Sequence, residues 1–302
     1  MKEKVLVLGS VAYDNIETRY AKEDNILGGS ASYASLACSY FTQAAMLGVV
    51  GKDFNEKDMN LLKSRDIDLS ALQVDNSGDT FFWSGKYLDN FNRRETLEVQ
   101  LNVFEHFNPI LPDSLKASKY VLLANISPAL QNSCLEQLNS PEFVILDTMD
   151  LWINIAKPDL LNVMPKVDLF ILNDSESELL TGEENIFIAA KKIVEMGAKS
   201  VLIKKGEHGS VLFSKDDMFI APSYPVLELK DPTGAGDSYA GAMLGYIASK
   251  GNTDFETMKR AMYYASATAS MTVEDFSCRQ LEKLGMQEVE NRVEKLIKIS
   301  NL

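Results

Sequence analysis

Residues 231–237 read DPTGAGD: two glycines flank an alanine, and a carboxylate closes the run. Upstream, APSYPVLELK reads as irregular chain and strand. Downstream, SYAGAMLGYIASKG reads as a helix with Ala240, Gly241, Ala242 and Gly245 on one small-residue face. The run therefore sits at a helix N-terminus, where the first backbone N–H groups lack intrahelical acceptors and the helix dipole is positive. Glycine at 234 and 236 permits torsions that other residues resist and leaves the approach open. The amides of Gly234, Ala235 and Gly236 can then converge on one anion. Asp237 follows at once. A carboxylate in a first helical turn is common and merely stabilising, but an N-cap does not require the glycine run before it. A base beside an anion cradle can take a proton from a hydroxyl while the cradle holds the charge growing on a phosphoryl group.

Other chemistry-bearing residues fall at the ends of apolar runs. Asp14 follows VLVLGSVAY, Asn125 is the last residue but one of YVLLANI, and Asp147 ends FVILD. Asn173 and Glu176, in NDSESELLTG, have the spacing of an N-cap and its capping-box partner. Gly206 follows Lys204 and Lys205, where a tight turn between strands is the plain reading and solvated lysines the ordinary fate. Arg93 and Arg94 lie in NRRET, and two guanidiniums there suit either a solvated face or an anionic ligand.

These residues need a scaffold, and the apolar pattern supplies one. Short Val-, Leu- and Ile-rich runs at 5–9, 44–51, 120–126, 143–148, 169–173 and 200–206 read as buried strands. Helix-like segments lie between and after them, at 30–42, 55–65, 130–139, 176–181, 185–197 and 237–250, and 255–300 is helical. The alternation predicts a doubly wound, mostly parallel α/β sheet with right-handed crossovers and a ligand at the carboxyl ends of its strands. Two stretches break the rhythm. Residues 10–27 and 74–107 alternate like strands but are largely polar, with Phe81, Trp83 and Tyr87 among them. They are expected to pair into a small separate sheet, as a lid, a dimer surface or an ordinary edge hairpin.

Composition narrows the function classes. Thirty basic and 43 acidic residues among 302 give a net charge of −13, which opposes binding to nucleic acid or anionic membranes. Cys38, Cys134 and Cys278 are far apart, and His106 and His208 complete no zinc pattern. A disulfide framework is not expected, and a reducing cytoplasm is the default. No apolar stretch approaches a membrane span, and VLVLG is too short for a signal-peptide core. The first strand runs into GSVAYDN rather than G-x-G-x-x-G, and no GxxxxGK[ST] occurs, so dinucleotide oxidoreductases and P-loop kinases are disfavoured.

Five motifs in order resemble the ribokinase-like (PfkB) family of carbohydrate and nucleoside kinases. They are GGSASYASLACSYF (28–41), GVVGKDFNEKDMNLLKSRDID, NDSESELLTG (173–182), VLIKKGEHGSVLF (201–213) and DPTGAGDSYAGAM. The resemblance covers nearly the whole chain. It implies a single ribokinase-like domain over 1–302 with a small β-sheet lid, and an ATP- and Mg2+-dependent kinase for a small sugar or polyol. It implies Asp237 as catalytic base and Gly234, Ala235 and Gly236 as its anion hole. Asp14, Gly28, Gly29, Tyr33 and Asn125 are expected on the acceptor. Asn173, Lys204, Gly206 and Thr233 are expected on the nucleotide, with Asn173 and Glu176 gripping Mg2+ through water. Asp231 is the candidate for a monovalent cation, K+, although TVEDFSCRQL departs from the glycine-containing segment that often completes that site. Tyr33 is a second departure: sugar kinases of this pattern commonly carry Asn there, and a phenol cannot copy a bidentate amide. A nucleoside acceptor is the alternative, since a base stacks on aromatic rings. A non-catalytic ligand sensor on the same fold is the reading from another class. A homodimer through the lid is the expected assembly.

Overall fold

The computed structural model describes residues 3–88, 91 and 93–300. A nine-stranded sheet runs through the chain. From one edge its strands are Met218–Ala221, Ser210–Ser214, Ser200–Lys204, Leu169–Asn173, Phe143–Asp147, Tyr120–Leu123, Val5–Leu8, Ala44–Gly51 and Leu72–Asp75. The seven strands from Ser200–Lys204 onward pair in parallel; Ser210–Ser214 and Met218–Ala221 add an antiparallel edge.

Alternation along the central strand shows why the sheet is buried on both faces. Val5 and Val7 pack into one apolar cluster, Leu6 and Leu8 into the other, and all four are 0% exposed. Each such side chain contributes about 1.5–3 kcal/mol relative to exposure. Gly241 and Gly245 account for the small-residue face of helix Ala235–Lys250. A Cβ at Gly241 would lie 2.1 Å from the Ala34 carbonyl oxygen, and one at Gly245 would lie 3.0 Å from that of Cys38. Helix Ser30–Cys38 therefore packs backbone-close against it, which brings the glycine pair Gly28–Gly29 toward the GAGD run.

The two polar stretches do pair with each other. Lys22–Gly28, Ala12–Glu17, Phe81–Tyr87 and Arg94–Gln100 form a separate four-stranded sheet in that order. Residues 74 and 75 belong instead to the large sheet. Two short helices that the periodicity does not announce, Asp150–Ile155 and Lys157–Val163, follow the Phe143–Asp147 strand. Among the described residues no helix is long and apolar enough to cross a membrane.

Candidate active site

The carboxyl ends of the parallel strands deliver Asn125, Asp147, Asn173 and Lys204 to one edge of the large sheet. The GAGD run meets them there. Gly234 is left-handed, with φ 76° and ψ 0°, and caps helix Ala235–Lys250. The Ala235 amide donates to the Pro232 carbonyl at 3.2 Å and closes the turn. The Ala235 amide, one of the three expected on an anion, is thus engaged within the turn. Asp237 stands in the first turn, partly exposed. Burial, and then the neighbouring Asp147, push its carboxyl up to about 7, against the pull of Lys204 and Arg94.

Lys204 is not solvated. Its Nζ lies 3.3 Å from Asp147 Oδ1, and the side chains are 17% and 4% exposed. Burial holds Asp147 above the usual carboxylate range, and Lys204 opposes that shift. Gly206 is exposed, with φ 53° and open space where a Cβ would stand. Thr233 donates its amide to Asp231 Oδ1 at 2.9 Å and its hydroxyl to Tyr87 OH at 3.1 Å. Asp231 is wholly buried, with Oδ2 lacking any hydrogen-bond partner, and burial pushes its carboxyl up to about 6.

The remaining expected residues divide. Asp14 is buried, and a Cβ on Gly28 would lie 1.9 Å from its Oδ2, so that glycine makes room for the carboxyl. Burial, then the charges of Asp231 and Asp237, hold the Asp14 carboxyl well above the usual range. Gly29, at φ 89°, starts helix Ser30–Cys38. Tyr33 lies under Gly234 rather than on an open surface, and its buried hydroxyl has no hydrogen-bond partner. Asn125 has internal partners: Trp152 Nε1 donates to its Oδ1 at 2.9 Å, and its Nδ2 points at Met149 Sδ at 3.1 Å. Asn173 and Glu176 form a complete capping box, with the Glu176 amide on Asn173 Oδ1 at 2.8 Å and the Asn173 amide on Glu176 Oε2 at 2.7 Å. Burial pushes the Glu176 carboxyl up to about 7. Among the described residues no group of three or more His, Cys, Asp or Glu side chains is placed to hold a metal.

Two residues escape sequence reasoning in their roles. Tyr87 joins the small sheet to the GAGD run through Thr233, and Asp150 faces Arg94 of that sheet at 3.8 Å. Tyr87 is legible as an aromatic in a strand-like stretch, but its partner lies 146 residues away. Arg93 is exposed.

A doubly wound sheet thus brings a glycine-rich helix N-terminus and a carboxylate to its carboxyl edge. The chain belongs to the pfkB carbohydrate kinase family, whose family model matches residues 2–284. Among curated relatives, it is 28% identical over 253 residues to a cytidine kinase of Thermococcus kodakarensis, covering 80% of this chain and 88% of that protein. It is 27% identical over 290 residues to a nucleoside kinase of Methanothermobacter thermautotrophicus, covering 90% and 89%. Among solved structures, the Methanocaldococcus jannaschii nucleoside kinase superposes with a TM-score of 0.78 at 23% identity, covering 97% of this chain and 98% of that one. An Escherichia coli putative ribokinase II in complex with ATP and Mg2+ gives 0.79 at 18% identity, covering 97% and 99%. These likenesses establish the fold, and the family makes the chain a kinase.

Proposed function

We propose that this kinase transfers the γ-phosphate of ATP to a hydroxymethyl group of a small sugar or polyol. Asp237 is the general base and the GAGD run the anion hole. The observation that carries the reading is Asp237 in the first turn of a helix capped by left-handed Gly234, with its carboxyl pushed up to about 7. A base poised near the working pH is most effective at removing a hydroxyl proton. Asp14, whose carboxyl is held well above the usual range by burial and then by the charges of Asp231 and Asp237, meets the acceptor's hydroxyls, which both donate and accept. Gly28 and Gly29 let the acceptor approach the backbone, and Gly206 leaves space for the nucleotide. Tyr33 supports the cradle from beneath, so its contribution to the acceptor is indirect.

Mg2+ supplies charge neutralisation on the nucleotide phosphates. Asn173 and Glu176 are the residues that would hold it through water. Glu176 Oε1 makes no hydrogen bond among the described residues, which leaves it available. A sparse donor set suits an ion that keeps most of its water. Asp231 Oδ2, buried and unpartnered, has the character of a monovalent-cation ligand. The small sheet acts as a lid that excludes water when closed, through Tyr87 on Thr233 and Arg94 toward Asp150. Its outer strand Arg94–Gln100 is exposed throughout, with Leu97 and Val99 about half exposed. An apolar edge strand of this kind favours pairing with a second copy of the chain. The cysteines are free and buried, which supports a reducing cytoplasm.

A nucleoside acceptor is the second reading. It is favoured by the cytidine and nucleoside kinases that match most of the chain, where deoxyribokinase of Salmonella typhimurium matches 33% of it. Both readings are separated by ADP release over a panel of pentoses, hexoses, polyols and nucleosides. Saturable turnover with a sugar or polyol is the expected result. Turnover with nucleosides alone replaces the sugar by the nucleoside, and no ADP with any acceptor rejects the kinase assignment in favour of a sensor.

A further inference from the structure

Lys204 and Asp147 make an ion pair where stability alone gives little reason for one. They end two strands that both flank Leu169–Asn173, and a single 3.3 Å contact joins their nearly buried side chains. Removing an ammonium and a carboxylate from water is expensive, and one loose contact does not repay it. The ammonium also has a fixed direction. A Cβ built on Gly236 would lie 2.9 Å from Lys204 Nζ, so the charge is held against the cradle itself. Asp147, Glu176 and Asp237 surround it electrostatically, in that order of strength. The site thus holds one buried cation among three acidic groups, beside amides that offer only partial charges.

Resting on the kinase reading above, we propose that Lys204 is a catalytic residue whose Nζ binds a non-bridging oxygen of the migrating phosphoryl group. Asp147 is the positioning residue that aims it. In the transfer, the acceptor's primary alcohol oxygen forms a bond to the γ-phosphorus. The bond from that phosphorus to the β–γ bridging oxygen breaks, and its electron pair leaves with ADP. The alcohol proton passes to Asp237, and Lys204 keeps its proton throughout. Its contribution is electrostatic and greatest as charge spreads over the equatorial oxygens.

The test compares wild type with Lys204→Met, Lys204→Gln, Lys204→Arg and Asp147→Asn. The measurements are kcat for ADP release, acceptor KM, affinity for a non-hydrolysable ATP analogue, and Tm. Lys204→Met is expected to lower kcat by about 10²–10³-fold, the loss typical of removing one transition-state donor. Nucleotide affinity is expected to fall far less. Lys204→Arg recovers part of kcat, and Asp147→Asn lowers kcat while the acceptor KM stays near wild type. Lys204→Gln carries the same prediction if the Met variant does not fold. A Lys204→Met or Lys204→Gln enzyme with kcat within threefold of wild type overturns the proposal and leaves the kinase reading intact. So does a loss of nucleotide affinity as large as the loss of kcat, or an Arg variant no better than Met. Wild type that releases no ADP with any acceptor overturns the kinase reading and this proposal together.

Discussion

The ring of Tyr33 packs directly beneath Gly234: a Cβ on that glycine would stand 2.4 Å from the ring's Cγ and Cδ1. Gly234 also holds φ 76°, in the left-handed region that costs an L-residue about 1–2 kcal/mol. Steric exclusion and backbone conformation therefore demand the same residue. Gly234→Ala is expected to lower Tm by several degrees and kcat by about 10²-fold, since the cradle must shift to relieve the clash. Thermal melts and ADP-release kinetics check this. A variant matching wild type in both would show that the turn tolerates displacement and is not preorganised.

The Tyr33 hydroxyl is buried with no hydrogen-bond partner. Leaving such a group unsatisfied costs about 1–3 kcal/mol, while its apolar replacement is close to neutral or stabilising. Tyr33→Phe is therefore expected to keep or raise Tm, with kcat close to wild type because the ring still supports Gly234. A fall in Tm would assign the hydroxyl a partner in solution, and a large rise in acceptor KM would assign it to the substrate.

How far the sequence reveals this site depends on distance along the chain. The left-handed Gly234 turn at its helix N-terminus and the Asn173–Glu176 capping box are local, so residue type and spacing determine them, and both stand where the sequence puts them. Strands such as Val5–Leu8 are legible because burial on both faces demands continuous apolar residues. The helices Asp150–Ile155 and Lys157–Val163 are short and Pro158 interrupts their pattern, which hides their period. The pairing of Lys204 with Asp147 spans 57 residues and two strand ends, so only the sheet order reveals it. Asn125 reads as a free amide at a strand end, yet Trp152, on one of the hidden helices, takes its oxygen. Tyr33 likewise meets a partner far along the chain, since its ring packs against Gly234.

Stability should rise on mild acidification. Burial pushes Asp231 up to about 6 and both Glu176 and Asp237 up to about 7, whereas unfolded carboxylates titrate near about 4. Between those values the folded state binds more protons than the unfolded state, so stability is lost as pH rises through about 6–7. Carboxylates held low by partners, such as Asp68 and Glu23, titrate below this window and do not oppose it. Without added nucleotide or cations, Tm at pH 6 is expected to exceed Tm at pH 8. The reverse order would mean that these groups are ionised at little cost, as solvent or a bound cation would allow.

The most direct measurement of the central claim is ADP release by Asp237→Asn beside wild type, with the best acceptor at saturation and across pH 5.5–8.5. The amide nearly preserves shape but cannot take the alcohol proton, so kcat is expected to fall about 10²–10⁴-fold with nucleotide affinity little changed. The acid limb of wild-type kcat/KM, set by a group titrating near about 7, is expected to vanish in the variant. An Asp237→Asn enzyme that keeps more than about a tenth of the wild-type kcat with the same acid limb would contradict the assignment of the base.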